Sequence, residues 1–474
     1  MDRKEATAPI AELVDALGDW HRRDGPLYGS LADALASAIR TGTLVRGDRL
    51  PPERRLAAAL ALSRSTVIAA YERLRRSGLV VSKRGSGTVV AAFAAARTTP
   101  PTGSAAGSLR QRFADQPGDI ISLRQAADEG LPELTAAVLD LASSTLPELL
   151  TDAGYHPRGL PELRQAIADH YTAQGLPTGP EHVVVTSGAT QAIALIAQHH
   201  LRRGSVVAVE SPGWPGSVDL FRAIGTRLVG VPLDDEGIRT DALGTAITQR
   251  HPDLLYVMPT FHNPTGLLMS QRRRRQLAEI SARHDLPVVE DSAYLDDHPP
   301  IAASATPDAQ ILTVGGLAKT VWAGLRIGWV RARPETVDQL VRLKALADLG
   351  SPVLDQAVAA RLLPHAAELA ARRAAARRDR LAHLTPLLAT HLPSWRWQAP
   401  DGGSALWIQL PTDDAQPFAA AALRHGVELV SGTSTDNTGR HDAFIRLPFT
   451  FPDEVLEEIV ERLTAAWRDV RRED

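Results

Sequence analysis

Lysine is scarce in this chain. Of its 52 Lys and Arg residues only Lys4, Lys83, Lys319 and Lys344 are lysines. Lys319 stands in a glycine-rich, apolar stretch, GGLAKTVWAGLRIGWV, residues 315–330. Arginine stays protonated under any protein condition, whereas a desolvated lysine can lose its proton and attack a carbonyl carbon. Lys319 is therefore a candidate nucleophilic amine, and its company is chemical too. VEDSAYLDD places Asp291 at the end of an apolar run, with Tyr294 three residues on. FHNPTG sets Asn263 in a turn, and ESPGWPG sets Trp214 in another. VTSGATQA reads as strand, glycine turn and helix, a phosphate cup built from backbone N–H groups and a helix dipole. Arg326 follows Lys319 by seven residues. A lysine for a Schiff base, a carboxylate for a ring nitrogen, donors for a ring hydroxyl, an aromatic face and an anion cup together suit pyridoxal 5′-phosphate.

These residues must be held by a scaffold, and the pattern predicts one. The runs HVVVTSG, SVVAVESP, DLLYVMPT, LPVVEDSA and QILTVGG alternate with helical stretches. Strands apolar on both faces, alternating with helices, predict a mostly parallel sheet covered on both sides. Ligands in such sheets bind beyond the strands' carboxyl ends, where each of the residues above falls. From about Gln356 the chain is helical and rich in Arg and Ala, and GGSALWIQL and AFIRLPF then predict strands of a smaller lobe, about 356–474.

The N-terminal region reads differently. Over residues 28–90, Leu31, Leu35 and Ile39 continue a stripe opened by Leu27, each four apart, on a first helix. ERRLAAALAL gives a short second helix. Ser63 stands as the N-cap of a third, with Val67, Tyr71 and Leu74 on one face. LVVSKRGSGTVV predicts two short strands around a basic turn. Three helices and a hairpin make a winged helix-turn-helix. The third helix would offer Arg64, Ser65 and Thr66 to bases and phosphates. Arg54 opens the second helix, and Lys83 and Arg84 precede a glycine turn, GSG, able to approach a groove wall. Residues 91–118, rich in Ala, Thr, Pro, Gly and Ser without periodicity, read as a linker to a large domain at 119–474.

Composition fits two or three globular domains in 474 residues. The absence of cysteine excludes disulfides and thiolate metal sites, and no metal is expected. There is no run of about twenty apolar residues and no signal-peptide pattern at the N-terminus, so a cytoplasmic location is expected. Residues 1–90 hold 15 Lys and Arg against 10 Asp and Glu, while the rest of the chain is acidic. Between Arg54 and Arg84 the only acid is Glu72. A cationic patch at one end suits a polyanionic partner, although on charge alone a solvated face fits as well.

Two resemblances sharpen this. RLPPERRLAAALALSRSTVIAAYERLRRSGLVVSKRGSGTVV resembles the DNA-binding domain of the GntR family of bacterial transcriptional regulators. That implies DNA contacts at Arg54, Arg64, Ser65, Thr66 and Gly85. Ala61 departs from the family, which commonly has glycine in that turn, so strain is expected there. Residues 119–474 resemble the fold-type I aminotransferases. This implies that Lys319 forms the Schiff base, Asp291 pairs with the pyridine nitrogen, Asn263 and Tyr294 contact the ring hydroxyl, and Trp214 stacks on the ring. Gly188, Ala189, Thr190 and Arg326 would bind the phosphate. Tyr155, in YHPRGLPELRQAI, matches a tyrosine that reaches the phosphate from the partner subunit. Arg446, in FIRLPF, matches an arginine that grips a substrate carboxylate. Gly316 and Ala318 stand where the family usually has hydroxyl residues, so phosphate binding leans on Arg326 and the backbone near Gly188.

The combination resembles the MocR-type regulators. It implies a homodimer that binds pyridoxal phosphate and a small amino-compound effector and reports the outcome to double-stranded operator DNA. Two alternatives stay open: a working aminotransferase with an accessory DNA-binding domain, and a DNA-binding protein whose large domain is a cofactor-free dimerisation scaffold.

Overall fold

The computed structural model describes residues 10–17, 20, 26–40, 44, 48–77, 79–83, 87–90, 120–436 and 438–473. The expected linker lies outside these residues, as do Arg84, Gly85 and the side chain of Lys83.

The N-terminal unit holds helices α1 (Ile10–Leu17), α2 (Leu27–Arg40), α3 (Glu53–Ala59) and α4 (Arg64–Arg76), then an antiparallel hairpin of β1 (Val80–Lys83) and β2 (Gly87–Val90). Leu31, Leu35, Leu56, Val67, Tyr71 and Leu74 are sealed in one core. Leu27 does not join its expected stripe. It opens α2 at the rim and is 42 % exposed. The core also reaches further back than residue 28, because Leu13 and Leu17 of α1 and Trp20 pack into it. Tyr71 donates its buried hydroxyl to the Pro51 carbonyl at 2.8 Å, tying α4 to the start of α3.

Ala61, in the turn between α3 and α4, adopts φ 49°. Left-handed backbone costs an L-residue about 1–2 kcal/mol, so the strain expected from sequence is present. Ala61→Gly is expected to stabilise this unit by roughly 0.5–1 kcal/mol after the entropy of the freer unfolded chain is deducted, measurable by thermal or urea unfolding.

The large domain is built on an eight-stranded sheet. Its strands are β4 (Val183–Thr186), β5 (Val206–Ser211), β6 (Arg227–Asp234), β7 (Gly237–Ile238), β8 (Leu254–Val257), β9 (Val288–Ser292), β10 (Ile311–Gly316) and β11 (Gly328–Arg331), following the two-residue β3 (Ile121–Ser122). The spatial order is β4-β11-β10-β9-β8-β5-β6-β7. Only β11 and the edge strand β7 run against the others. Nearly every residue of β4, β5, β8, β9 and β10 is buried, as strands covered on both faces must be.

The smaller lobe centres on β12 (Arg396–Trp397), β13 (Ala405–Gln409), β15 (Val430–Ser431) and β16 (Phe444–Pro448), with β14 (Val427–Glu428) pairing separately. Its expected start near residue 356 is corrected by the packing. Ala357, Val358, Leu362 and Leu369 belong to the core of the large sheet, and the lobe's own core begins at Leu384. Leu123 joins that core from far earlier in the chain, because β3 pairs in parallel with β14.

Candidate functional site

The carboxyl ends of the parallel strands β4, β5, β8, β9 and β10 lie along one edge of the sheet and deliver the chemistry. β4 leads into Ser187 and Gly188, β5 into Trp214, β8 into Asn263, β9 carries Asp291 and leads into Tyr294, and β10 leads to Lys319. β11 runs backwards, so Arg326, just before it, reaches the same end. The sequence set is thus brought together by topology.

Gly188 caps the helix Ala189–His200 at φ 101°. Any Cβ on Gly188 would lie 3.3 Å from Arg326 Nη2, and Arg326 donates to the Ser187 carbonyl at 2.7 Å. Ala189 and Thr190 form the helix's first turn, with Thr190 exposed. The cup is braced from behind. Ser187 N–H donates to Gln191 Oε1 at 2.8 Å, and Lys344 Nζ donates to the same oxygen at 3.1 Å and to Asp348 at 2.8 Å. Lys344, another of the rare lysines, is wholly buried in this structural role.

The strand pair behind the cup bears on the missing hydroxyl at Gly316, while nothing in the structure explains Ala318. A Cβ on Gly315 would sit 2.5 Å from the Trp329 ring, and one on Gly316 3.1 Å from the Ile327 carbonyl. A Cβ on Gly328, opposite Gly316, would fall 2.7 Å from the Gly188 backbone. A side chain at 316 would need the Ile327 carbonyl to give by a few tenths of an ångström.

Asp291 is buried on β9. Its Oδ2 accepts from Tyr256 Oη at 2.6 Å, while Oδ1 has no hydrogen-bond partner among the described residues. Burial raises its pKa to about 6, against the Tyr256 hydrogen bond and the Lys319 charge, which lower it. Asn263 Oδ1 is likewise buried without a partner among the described residues. Tyr294 Oη shares a 2.8 Å hydrogen bond with Ser404 Oγ. Asn263, Tyr294, Ser404 and the buried Arg446 line one small cleft. Trp214 caps the helix Pro215–Ile224 with its indole folded over Gly216, where a Cβ would fall 2.3 Å from the ring.

Lys319 is partly buried and donates to the Ala126 carbonyl. Burial lowers its pKa to about 7, helped by the nearby Arg446 and Arg377 guanidinium groups and opposed by Asp128 and Asp291. Its uncharged, nucleophilic form is therefore abundant near neutrality.

Three contributors escaped sequence reasoning. Tyr256 reads as one more apolar strand residue, yet it aims Asp291. Arg377 and Arg373 lie in a helix, Ala366–His391, where arginines recur without distinction. Arg377 donates to the Lys319 carbonyl at 2.6 Å, pairs with buried Asp128 and sits over the Tyr294 ring, 5.2 Å from its centroid. Arg373 donates to the Val321 carbonyl at 2.7 Å. One helix thus clamps the lysine loop. Tyr155 stands apart from this assembly, 69 % exposed.

At the other end of the chain, Ser63 accepts the Thr66 N–H at 3.2 Å as the N-cap of α4, and its hydroxyl also meets those of Ser65 and Thr66 at 2.7 and 2.8 Å. Arg54, Arg64 and Ser65 are exposed and Thr66 half-buried. The unit leans on the smaller lobe, where α3 packs against the helix Gln416–Arg424 and Arg424 donates to the Leu60 carbonyl at 3.0 Å.

Comparison with known proteins now decides the family. Residues 127–463 match aminotransferase class I and II, and residues 27–90 match the gntR family of bacterial regulatory proteins. An uncharacterized HTH-type transcriptional regulator of Bacillus subtilis, YisV, is 30% identical, covering 96% of this chain and 99% of its own. This chain is a GntR-family regulator of the MocR type. The probable rhizopine catabolism regulatory protein MocR of Rhizobium meliloti is 32% identical over 68% of each chain. Among solved structures, the α-aminoadipate aminotransferase LysN of Thermus thermophilus, complexed with N-(5′-phosphopyridoxyl)-L-leucine, superposes with a TM-score of 0.69 at 28% identity, covering 78% of this chain and 98% of that one.

The aminotransferase domain of this MocR-type regulator takes pyridoxal 5′-phosphate, and the residues present fit it. A buried carboxylate oxygen lacks a partner among the described residues, a cup with positive φ has an arginine beside it, and the nearby lysine has its pKa lowered to about 7. No helix among the described residues is long and apolar enough to cross a membrane.

Proposed function

We propose that the chain is a transcriptional regulator whose large domain senses a small amino compound bearing a carboxylate. The observation that carries this is the convergence of Lys319, lowered to about 7, with the buried guanidinium of Arg446, in a chain that also presents a DNA-reading helix. When bound, pyridoxal phosphate supplies an aldehyde that condenses with primary amines. The protein does the rest. Asp291 holds a charge against the ring nitrogen, with Tyr256 fixing its orientation, and Asn263 and Tyr294 hold the ring hydroxyl. Trp214 covers the ring face, and Gly188, Ala189, Thr190 and Arg326 hold the phosphate. Lys319 gives and takes a proton at Nζ, and Arg446 forks onto the effector's carboxylate. A ligand that exchanges contacts at Lys319 and Arg446 differs between two states of the site, as a switch requires.

The functional unit on this reading is a homodimer in the cytoplasm. Leu139, Leu150, Tyr155, Leu346 and Leu349 are all more than half exposed, as apolar side chains that meet a partner subunit would be. Leu349 and Tyr155 lie on segments that meet, since Gly350 abuts His156. Tyr155 would then serve the partner's phosphate. Arg54, Arg64, Ser65 and Thr66, with Lys83, Arg84 and Gly85 of the wing, would contact operator DNA.

Arg446→Ala is expected to weaken the spectral response to amino acids about 100-fold while leaving cofactor loading intact, since a buried carboxylate–guanidinium fork is worth about 2–5 kcal/mol. An unchanged response would overturn the proposed effector class. A second reading, turnover as a transaminase, is favoured by the full set of acid, base and ring-holding groups. Sustained conversion of an amino donor and a 2-oxo acid beyond one equivalent would support it.

A further inference from the structure

Asp436 lies in the smaller lobe, in a loop that touches no reacting group, yet its carboxylate is completely enclosed. It accepts from the Thr438 N–H at 2.8 Å, the Thr438 hydroxyl at 2.7 Å, the Arg440 N–H at 2.9 Å, the His441 N–H at 3.2 Å and His441 Nδ1 at 2.9 Å. A further donor comes from the other lobe, the hydroxyl of Ser211. Burial pushes the carboxyl upward, but hydrogen bonds from His441, Ser211 and Thr438 outweigh it and hold the group far below the usual carboxylate range. A second bond crosses beside the first, from Gly213 N–H to the Thr435 carbonyl at 2.8 Å.

Ser211 ends β5, and the turn it opens delivers Trp214 three residues later. On the lobe side, the His441 ring packs edge-on against Phe444, centroids 5.3 Å apart, and Phe444 stacks on Trp407 at 5.2 Å. Trp407 lies directly opposite Arg446 in the β13–β16 register, and Phe444 is two residues from Arg446 on the same strand face. Strand register, ring contacts and hydrogen bonds thus link the arginine proposed to grip the effector to the tryptophan turn proposed to cover the cofactor.

We infer that Asp436, through Ser211, is a positioning residue that sets the seat of Trp214 on the cofactor according to the stance of the smaller lobe. This rests on the assignment of Trp214 to the cofactor ring. Every group facing Asp436 in these contacts is a donor, so a carboxylate suits the pocket and an amide, which brings donors of its own, does not.

Ser211→Ala tests the inference, because it removes the side-chain bond from Asp436 to the other lobe and leaves the loop's own bonds to Asp436, and the Gly213–Thr435 bond, in place. In the full-length protein, pyridoxal phosphate affinity is expected to fall about tenfold, the scale of a hydrogen bond to a charged group. The induced circular dichroism of the cofactor at saturation is expected to drop, with the thermal midpoint of cofactor-free protein kept within about 2 °C. In a Trp214→Leu background the same substitution should change affinity less than about twofold, since coupled residues are not additive. Asp436→Ala should exceed Ser211→Ala in both cofactor readouts, and if it does not fold the serine variant stands alone. Unchanged affinity and dichroism in Ser211→Ala, or an equal loss with and without Trp214, would overturn the inference. Failure of the wild-type chain to bind pyridoxal phosphate would instead overturn the cofactor assignment.

Discussion

Borohydride treatment of the Lys319→Ala protein, loaded with pyridoxal phosphate, is expected to leave no reduced adduct at the position that carries one in the wild type. The expectation is all-or-none because the bond requires an uncharged amine at the site. Lys344, the other lysine near the cup, has its ammonium committed to Asp348 and Gln191. Peptide mass mapping is unusually clean here, since only Lys4, Lys83 and Lys344 remain as alternatives. The same experiment has a pH signature. Lys319 is lowered to about 7, so covalent capture by the cofactor-free wild type should rise with pH through neutrality and level off above about 8, well below the range of an ordinary lysine. Arg446 is one cause of the lowering. In the Arg446→Ala protein the lysine's pKa therefore rises, and the capture midpoint should move to higher pH. A wild-type midpoint near 10 would overturn the electrostatic account even if the adduct forms.

Arg64→Ala should eliminate the shift of a duplex that the wild-type protein selects from a random pool, with the cofactor spectrum unchanged. Arg64 begins α4 and is exposed, while the cap that holds the helix end is made by Ser63 and Thr66. The substitution thus removes a side chain suited to guanine or phosphate without dismantling the helix. An arginine–base fork is worth about 1–3 kcal/mol of discrimination, and loss of a charge lowers the salt dependence by about one unit. In the proposed homodimer, two copies would double the effect. Retained affinity with the full salt slope would move the reading face elsewhere on the unit, and joint loss of DNA binding and cofactor spectrum would mean that the variant had damaged the fold.

Much of this was legible in the residues. Apolar runs ending in Gly, Pro, Ser or Asn mark buried parallel strands and their exits together, so the strand ends and the chemistry at them come from one pattern. Lys319, Asp291, Asn263, Tyr294, Trp214 and Arg326 could be gathered because each follows or precedes such a run. Boundaries were less legible. Helical periodicity does not say which of two cores a helix serves, and Val353–Leu362 serves the large sheet although it precedes the small one. Leu123 shows the converse, with a few residues after the linker completing a lobe made some 300 positions later. The hidden site residues, Tyr256, Arg377 and Arg373, act through others. Nothing in local sequence separates an arginine that clamps a backbone from one that meets water.

The contact between α3 and the helix Gln416–Arg424 gives the molecule a mechanical property. The DNA-binding head is in contact with the lobe that carries Arg446. A swing of that lobe about the sheet would tilt the head with it, and in a pair of such chains two heads would tilt in opposite senses about the symmetry axis. A movement too small to notice in the pocket would thus emerge as a change in the spacing and pitch of two helices astride a groove, a geometry to which paired half-sites are acutely tuned.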